Sequence, residues 1–164
     1  MKKFVIQTFI LVAITFIALY LATSKTPTIP GLVQHSAEPE NNQLTIGGTT
    51  INIELADTAD ERKRGLSGRQ SLAADTGLLF VYDKPGLYAY WMKGVNFPLD
   101  FIWIKNGRVV DLLKNIPVAE PNTSDESLPR YLPNQEIDTV LETNAGFIDS
   151  HNIRVGDTVT VIGQ

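Results

Sequence analysis

Four side chains with chemically useful groups lie in or beside one apolar stretch of the chain, and they are the candidates for a binding site. They are Arg69, Trp91, Lys93 and Asp100. Arginine recognises carboxylates through two parallel hydrogen bonds, an indole ring offers a stacking surface, and a lysine beside an aspartate can hold or transfer a proton. We expect these groups to border one accessible recess, with Asp75 or Asp100 as the ionic partner of Arg69.

The predicted contact between Lys93 and Asp100 depends on the strands that carry them. If residues 87–92 and 100–104 form neighbouring antiparallel strands, the two side chains flank a short connection and come close together. Two interpretations stay open, a binding or proton-transfer pair and an ion pair that only fixes the turn. The aromatic side chains around Trp91 also have two open interpretations. They could form a surface that contacts a ligand, or they could simply fill the core.

A catalytic alternative uses carboxyl groups. A hydrolase acting on envelope polymers would need two of them about 5–10 Å apart in a cleft, and Asp100 with Glu142 or Asp75 is the first pair to consider. The chain has no cysteine and two histidines, so thiol chemistry and disulfides are excluded and no Ser-His-Asp triad is readable. The remaining carboxylates lack calcium-loop spacing, and we expect neither a metal nor a cofactor.

Alternating and apolar runs predict a mostly β domain over residues 44–164. A hairpin is expected around Gly47-Gly48, another around Asn106-Gly107, and a short helix after the capping box that begins at Thr58. Three strands are expected at 78–82, 87–92 and 100–104, and Asn144 is expected to cap a second short helix. The fold class is α+β, a small closed or nearly closed β-barrel with two short helices.

The N-terminus predicts a membrane segment. Residues 4–22 carry no charge and follow Lys2 and Lys3. As a helix they would rise about 28 Å, close to the ~30 Å hydrocarbon core. Residues 1–22 are therefore interpreted as a transmembrane anchor or a cleaved signal, and residues 23–43 as a polar, proline-containing linker. Under the positive-inside tendency the domain lies outside the cytoplasm, anchored to the membrane, or secreted if the segment is removed.

The order and spacing of several motifs resemble the uncharacterised family called domain of unknown function 192. The matching residues are Arg64-Gly65-Leu66, Arg69, Asp75-Thr76-Gly77-Leu78-Leu79-Phe80-Val81, Tyr90-Trp91-Met92-Lys93, Pro98-Leu99-Asp100-Phe101-Ile102, Val140-Leu141-Glu142, Ala145-Gly146-Phe147 and Val155-Gly156-Asp157. The resemblance implies a small β-rich barrel with short helices. It implies no catalytic residues, because the family has no agreed activity. This chain has Gly94-Val95 where the family usually has Asn-Thr, and it lacks the loop cysteines of many relatives.

These features together predict a membrane-tethered extracytoplasmic domain that binds a small ligand or an envelope partner. With a formal charge of −4, no basic surface points to nucleic acid as a partner. Besides the hydrolase, one alternative stays open. In it the proline-rich loop at residues 115–135 makes the domain a protein-interaction module.

Overall fold

A curled sheet of seven strands organises the part of the chain that the structure describes, residues 42–163 of a computed structural model. The strands are β1 (Gln43–Ile46), β2 (Thr49–Ala56), β3 (Thr76–Gly86), β4 (Leu99–Lys105), β5 (Arg108–Ile116), β6 (Ile137–Asn144) and β7 (Val159–Ile162). The helices are α1 (Ala59–Arg64) and α2 (Phe147–Ser150), and a 3₁₀ turn spans Asp125–Ser127. The strand order is β5-β4-β6-β3-β2-β1-β7, and only β2 and β3 pair in parallel.

Local sequence signals account for the first turns of the fold. Gly47 and Gly48 take φ values of 56° and 85° between β1 and β2, and the predicted hairpin forms. At the start of α1, the Thr58 side chain accepts from the Glu61 N–H while the Glu61 side chain accepts from the Thr58 N–H. This capping box satisfies backbone donors that a helix start leaves free. The predicted helix is confirmed, and it forms the crossover that parallel pairing of β2 with β3 requires.

The predicted strand at 87–92 is wrong. β3 continues to Gly86, and the chain then leaves the sheet, so that Tyr90 forms only an isolated bridge with Tyr131. The alternation is nevertheless real, because Tyr90 and Met92 are buried while Trp91 is exposed. Residues 87–98, which we call the extended segment, pack one side onto the core, pair only at this bridge and turn at Lys93 and Gly94. β6 lies between β3 and β4, so these two strands are not neighbours.

The second helix also differs from the prediction at its start. Gly146, at φ 89°, occupies the N-cap position of α2. The Asn144 side chain instead donates to the carbonyls of Leu72 and Ala73, at 3.0 and 3.2 Å. Asn144 thus ties the end of β6 to the segment before β3 and does not cap the helix.

The sheet is a half-barrel and not a closed barrel, although the predicted mostly β class with two short helices is confirmed. Its two edge strands meet at one end only. There the N–H of Val109 donates to the Asp157 carbonyl at 2.9 Å, and the N–H of Val159 donates to the Gly107 carbonyl at 2.8 Å. Arg108 and Thr158 form the accompanying bridge. The Asn106-Gly107 turn therefore serves both the β4–β5 hairpin and this contact.

Alternating side chains divide the core into two clusters on opposite faces of the sheet. One face carries Phe80, Phe101 and Val140, and the extended segment packs over it. The other carries Leu141, together with buried residues of β1 and α2. We call the first face the segment face and the second the α2 face. Since successive residues of a strand point to opposite faces, the register assigns each side chain to one of them.

Gly77 provides a test of the packing between β2, β3 and β6. A Cβ atom there would lie 2.6 Å from Leu141 Cδ1 and 3.1 Å from the Glu142 carbonyl oxygen. Gly77→Ala should lower the unfolding free energy of the full chain by about 1–3 kcal/mol in urea denaturation, because the extra methyl overpacks the core. Gly86→Ala, where a Cβ meets only the Tyr88 ring at 3.2 Å, should cost less. Equal losses would contradict the packing argument.

The predicted membrane segment (1–22) and nearly all of the predicted linker (23–43) lie outside the described residues. Within residues 42–163, neither helix has the length and apolar character needed to span a bilayer.

Candidate functional site

A recess of about 410 Å³ opens on the segment face of the sheet. Its walls come from α1 and the turn after it, from β3, from β6 and from the extended segment. The lining residues are Arg62, Lys63, Arg64, Gly65, Leu66, Ser67, Phe80, Tyr82, Ala89, Tyr90, Trp91, Lys93, Val95 and Glu142. A concave site with aromatic walls and a few polar groups is the usual form of a small-molecule site.

Two tyrosines form a hydrogen-bonded pair within the aromatic wall. The Tyr82 and Tyr90 hydroxyls are 2.7 Å apart. Tyr82 also stacks on Tyr88, with ring centroids 3.5 Å apart, while Tyr90 meets Phe80 edge to face at 5.1 Å. Burial raises the pKa of both Tyr82 and Tyr90, so both phenols stay protonated at neutral pH. One hydroxyl donates to the other, which leaves one phenol proton for a ligand.

Glu142 supplies the one carboxyl group among the lining residues. It lies in β6 opposite Leu78 of β3 and Phe101 of β4, and its exposure is 5%. Burial raises the pKa of Glu142 to about 8. Within residues 42–163 its carboxyl forms no ion pair. At pH 7 the group is therefore mostly protonated, and it can donate a hydrogen bond as well as accept one.

Trp91 and Lys93 border the recess and are tied to the long loop. The Arg130 guanidinium stacks on Trp91, 3.3 Å from the ring centroid, and donates to the Asp125 carbonyl at 3.2 Å. Lys93 forms an ion pair with the Asp125 carboxylate and lies 5.8 Å from the Trp91 centroid. Trp91 is 38% exposed, so part of the residue remains accessible at the edge of the recess.

The last turn of α1 adds a row of cations at the edge of the recess. Arg62 donates to the carbonyls of Asp57 and Val81 and lies over the Tyr82 ring at 5.2 Å. Lys63 and Arg64 are exposed. Neither has a carboxylate within ion-pair distance in the described part of the chain. These two charges remain available to an anion.

Arg69 pairs with Glu54, which no sequence motif singles out as its partner. Its guanidinium donates to both Glu54 carboxylate oxygens, at 2.7 and 2.6 Å. The hydrogen bond from Arg69 lowers the pKa of Glu54. The predicted partners Asp75 and Asp100 take no part in this pair. Arg69 is also not among the residues that line the recess.

Asp100 is sealed in the interior on the other side of the sheet. Its exposure is 0%, and its two carboxyl oxygens accept from the backbone N–H groups of Asn115 and Ile148 at 2.8 and 2.9 Å. In the β4–β6 register Phe101 opposes Glu142, so Glu142 shares the face of Phe101. Asp100 therefore points to the α2 face and Glu142 to the segment face.

Of the four predicted site residues, the structure brings Trp91 and Lys93 together at the recess and leaves Arg69 and Asp100 elsewhere. The predicted contact between Lys93 and Asp100 does not form, because the extended segment and β4 are not paired strands. From the sequence, Glu142 is a site candidate only as the carboxyl partner of Asp100. Its neighbours give no signal that it is buried, because β6 carries polar residues on both sides of Val140 and Leu141. No motif marks Arg130 either.

The described residues show no metal-binding arrangement. Within residues 42–163, no group of three or more His, Asp or Glu side chains is placed to hold an ion. The residues that line the recess offer hydrogen bonding, aromatic stacking and charge.

A mostly β half-barrel with an aromatic recess on one face is the class of protein that the fold and site define. The chain belongs to the family domain of unknown function 192 (DUF192), described as "Uncharacterized ACR", which matches residues 42–161. This confirms the resemblance inferred from the motifs. A comparison with curated proteins found no match.

Two solved structures share the fold. A protein of unknown function from Novosphingobium aromaticivorans DSM 12444 is 27% identical with a TM-score of 0.64, and the match covers 72% of this chain and 83% of that one. A provisionally assigned transcription regulator from Sinorhizobium meliloti 1021 is 25% identical with a TM-score of 0.65, covering 73% and 92%. Neither name states a ligand.

Proposed function

We propose that this protein is a binding domain, tethered to a membrane on its extracytoplasmic side, that takes a small organic ligand into the aromatic recess. The tether rests on the uncharged segment at residues 4–22, which follows two lysines. The binding role rests on the recess. Its volume of about 410 Å³ lies within the ordinary range for small-molecule sites, roughly 300–1,000 Å³.

The observation that carries the proposal is the combination of exposed and buried groups in one concave site. Trp91 offers an exposed ring at the entrance, and the Tyr82–Tyr90 pair and Glu142 place polar groups inside. A structural core has no need of an unpaired carboxyl, because burying it costs free energy unless a partner compensates. A ligand that bonds to these groups would provide that compensation.

The paired-carboxylate hydrolase has less support. Asp100 and Glu142 lie on opposite faces of the sheet, and both are buried. Asp75 is exposed and does not line the recess. Two carboxyl groups that flank a scissile bond must face one cleft. The geometry of these residues does not provide such a cleft.

The loop at 115–135 has a structural role that competes with the interaction-module alternative. Asp125 and Arg130 hold Lys93 and Trp91, and the Asn134 N–H donates to Asp111 at 3.0 Å. Its exposed large apolar side chains are Val118 and Leu132, which lie on opposite sides of the 3₁₀ turn in the sequence. Single exposed apolar residues are normal on protein surfaces. The loop therefore supports the recess, and we propose that the ligand binds in the recess.

The binding role predicts that Trp91→Ala weakens ligand binding by at least fivefold, because stacking on an aromatic ring contributes about 1 kcal/mol or more. The full chain would be titrated with 2-naphthoate, 2-naphthamide and 2-naphthylmethylamine, with isothermal calorimetry as the readout. These probes share a planar bicyclic apolar body and differ in charge.

The matched control is Val155→Ala, which also removes an exposed apolar side chain but lies outside the recess. It should bind each probe as the unmodified protein does. The proposal fails if none of the three probes binds, or if Trp91→Ala and Val155→Ala bind them equally well.

A further inference from the structure

The charged groups that line the recess are of one sign apart from Glu142. Arg62, Lys63 and Arg64 come from α1, and Lys93 comes from the extended segment. Lys93 shares its charge with Asp125, and Arg62 is bonded to backbone carbonyls, whereas Lys63 and Arg64 have no ion-pair partner within residues 42–163. A concave site with charges of one sign concentrates ligands of the opposite sign.

The polar groups inside the recess act as hydrogen-bond donors. The Tyr82–Tyr90 pair keeps one phenol proton available, and the Glu142 carboxyl is unpaired and 5% exposed. A protonated carboxyl donates to an oxyanion and adds no repulsion. A cationic ligand would be repelled by the lysine and arginine side chains at the entrance. The buried carboxyl would not offset this repulsion, because it resists ionisation.

We propose that the ligand of this recess is a small organic anion, with an oxyanion such as a carboxylate on a planar apolar body. The inference rests on the proposed binding function and names its ligand class. The planar body stacks against Trp91 and the tyrosines. The oxyanion meets the free cations of α1 and the donors inside the recess.

Glu142 then makes anion binding depend on pH. The charged and titratable groups that share the recess with it are Tyr82 from β3, Tyr90 and Lys93 from the extended segment, and the cations of α1, while β4 contributes the apolar Phe101. Burial raises the pKa of Glu142 to about 8, so at pH 6.5 the carboxyl is protonated and at pH 9 about one-tenth remains so. The ionised form repels the bound anion, which should weaken affinity about tenfold over that interval.

Matched probes test the ligand class. At pH 6.5, 2-naphthoate should bind the full chain at least tenfold more tightly than the neutral 2-naphthamide, and more tightly still than the cationic 2-naphthylmethylamine. Replacing Lys63 and Arg64 together by glutamine should weaken 2-naphthoate binding at least fivefold. Lys84→Gln, which removes an exposed lysine outside the recess, should leave it unchanged.

Glu142→Gln separates the carboxyl from general pH effects. Glutamine has nearly the same shape and a donor that does not titrate, so the variant should bind 2-naphthoate with the same affinity at pH 6.5 and pH 9. If 2-naphthamide or the amine binds as tightly as 2-naphthoate, the anion inference is overturned and the binding function stands. If no probe binds, both fail. If Glu142→Gln keeps the tenfold pH dependence, Glu142 is not the group that controls the anion.

Discussion

Asp100→Ala should lower the free energy of unfolding by about 2–6 kcal/mol. Its carboxyl oxygens accept from the N–H groups of Asn115 and Ile148 in a site with no solvent exposure. Each buried donor left without a partner costs about 1–3 kcal/mol. The loss should also loosen α2, because Ile148 belongs to that helix. Urea denaturation of the full chain gives the size, and hydrogen exchange at Ile148 reports the helix.

Asp111→Ala is the matched control for that prediction. Asp111 also accepts from two backbone N–H groups, those of Leu112 and Asn134, at 2.8 and 3.0 Å. It is partly exposed, so water can replace the lost carboxyl. We expect a loss of about 1 kcal/mol or less. If the two variants lose equal stability, burial is not what makes the Asp100 carboxyl important.

Glu142→Gln should stabilise the protein at alkaline pH. The sign follows from where the proton is held. Burial raises the pKa of Glu142 from its ordinary value of 4.5 to about 8, so between these values the folded chain holds a proton that the unfolded chain releases. The contribution of Glu142 to stability therefore falls as pH rises through this interval. At 1.36 kcal/mol per pH unit, the loss reaches at most about 5 kcal/mol above pH 8.

The measurement compares unfolding free energies of the unmodified chain and Glu142→Gln at pH 5 and pH 9. The unfolding free energies of the two proteins should differ by about 1 kcal/mol or less at pH 5. At pH 9 the Glu142→Gln variant should be more stable than the unmodified chain by several kcal/mol. Glu136→Gln, on an exposed carboxylate, is the control and should show no such divergence. Parallel pH profiles for Glu142→Gln and the unmodified chain would show that the carboxyl does not resist ionisation in the fold.

Much of the fold was predictable because its signals are local. The glycines between β1 and β2, the Asn106-Gly107 turn and the capping box at Thr58 each act over a few residues, and each forms as expected. The strand at 87–92 was wrong for the converse reason. Alternation reports which side chains are buried, and it does not report whether the backbone is paired. Pairing is decided by β6, which comes later in the chain and occupies the place beside β3.

The recess was only partly predictable, since its partners come from distant parts of the chain. Trp91 and Lys93 stood out by residue type and do border it. Lys93 pairs with Asp125 in the long loop, and Arg69 pairs with Glu54 on β2. No sequence motif links the two members of either pair. Which face Asp100 and Glu142 occupy follows from the β4–β6 register, and a single sequence does not fix that register.

The strand order also has a consequence for how the chain acquires its structure during synthesis. β1, near the start of the described residues, pairs with β7 at their end, with Leu44 opposite Val161. As the chain emerges from the ribosome, more than a hundred residues must be synthesised after β1 before β7, its second neighbour in the sheet, is complete. A nascent chain that stalls before Val159 exposes one side of β1 and lacks the contact that joins the two sheet edges, which leaves a ready site for chaperone capture or strand exchange.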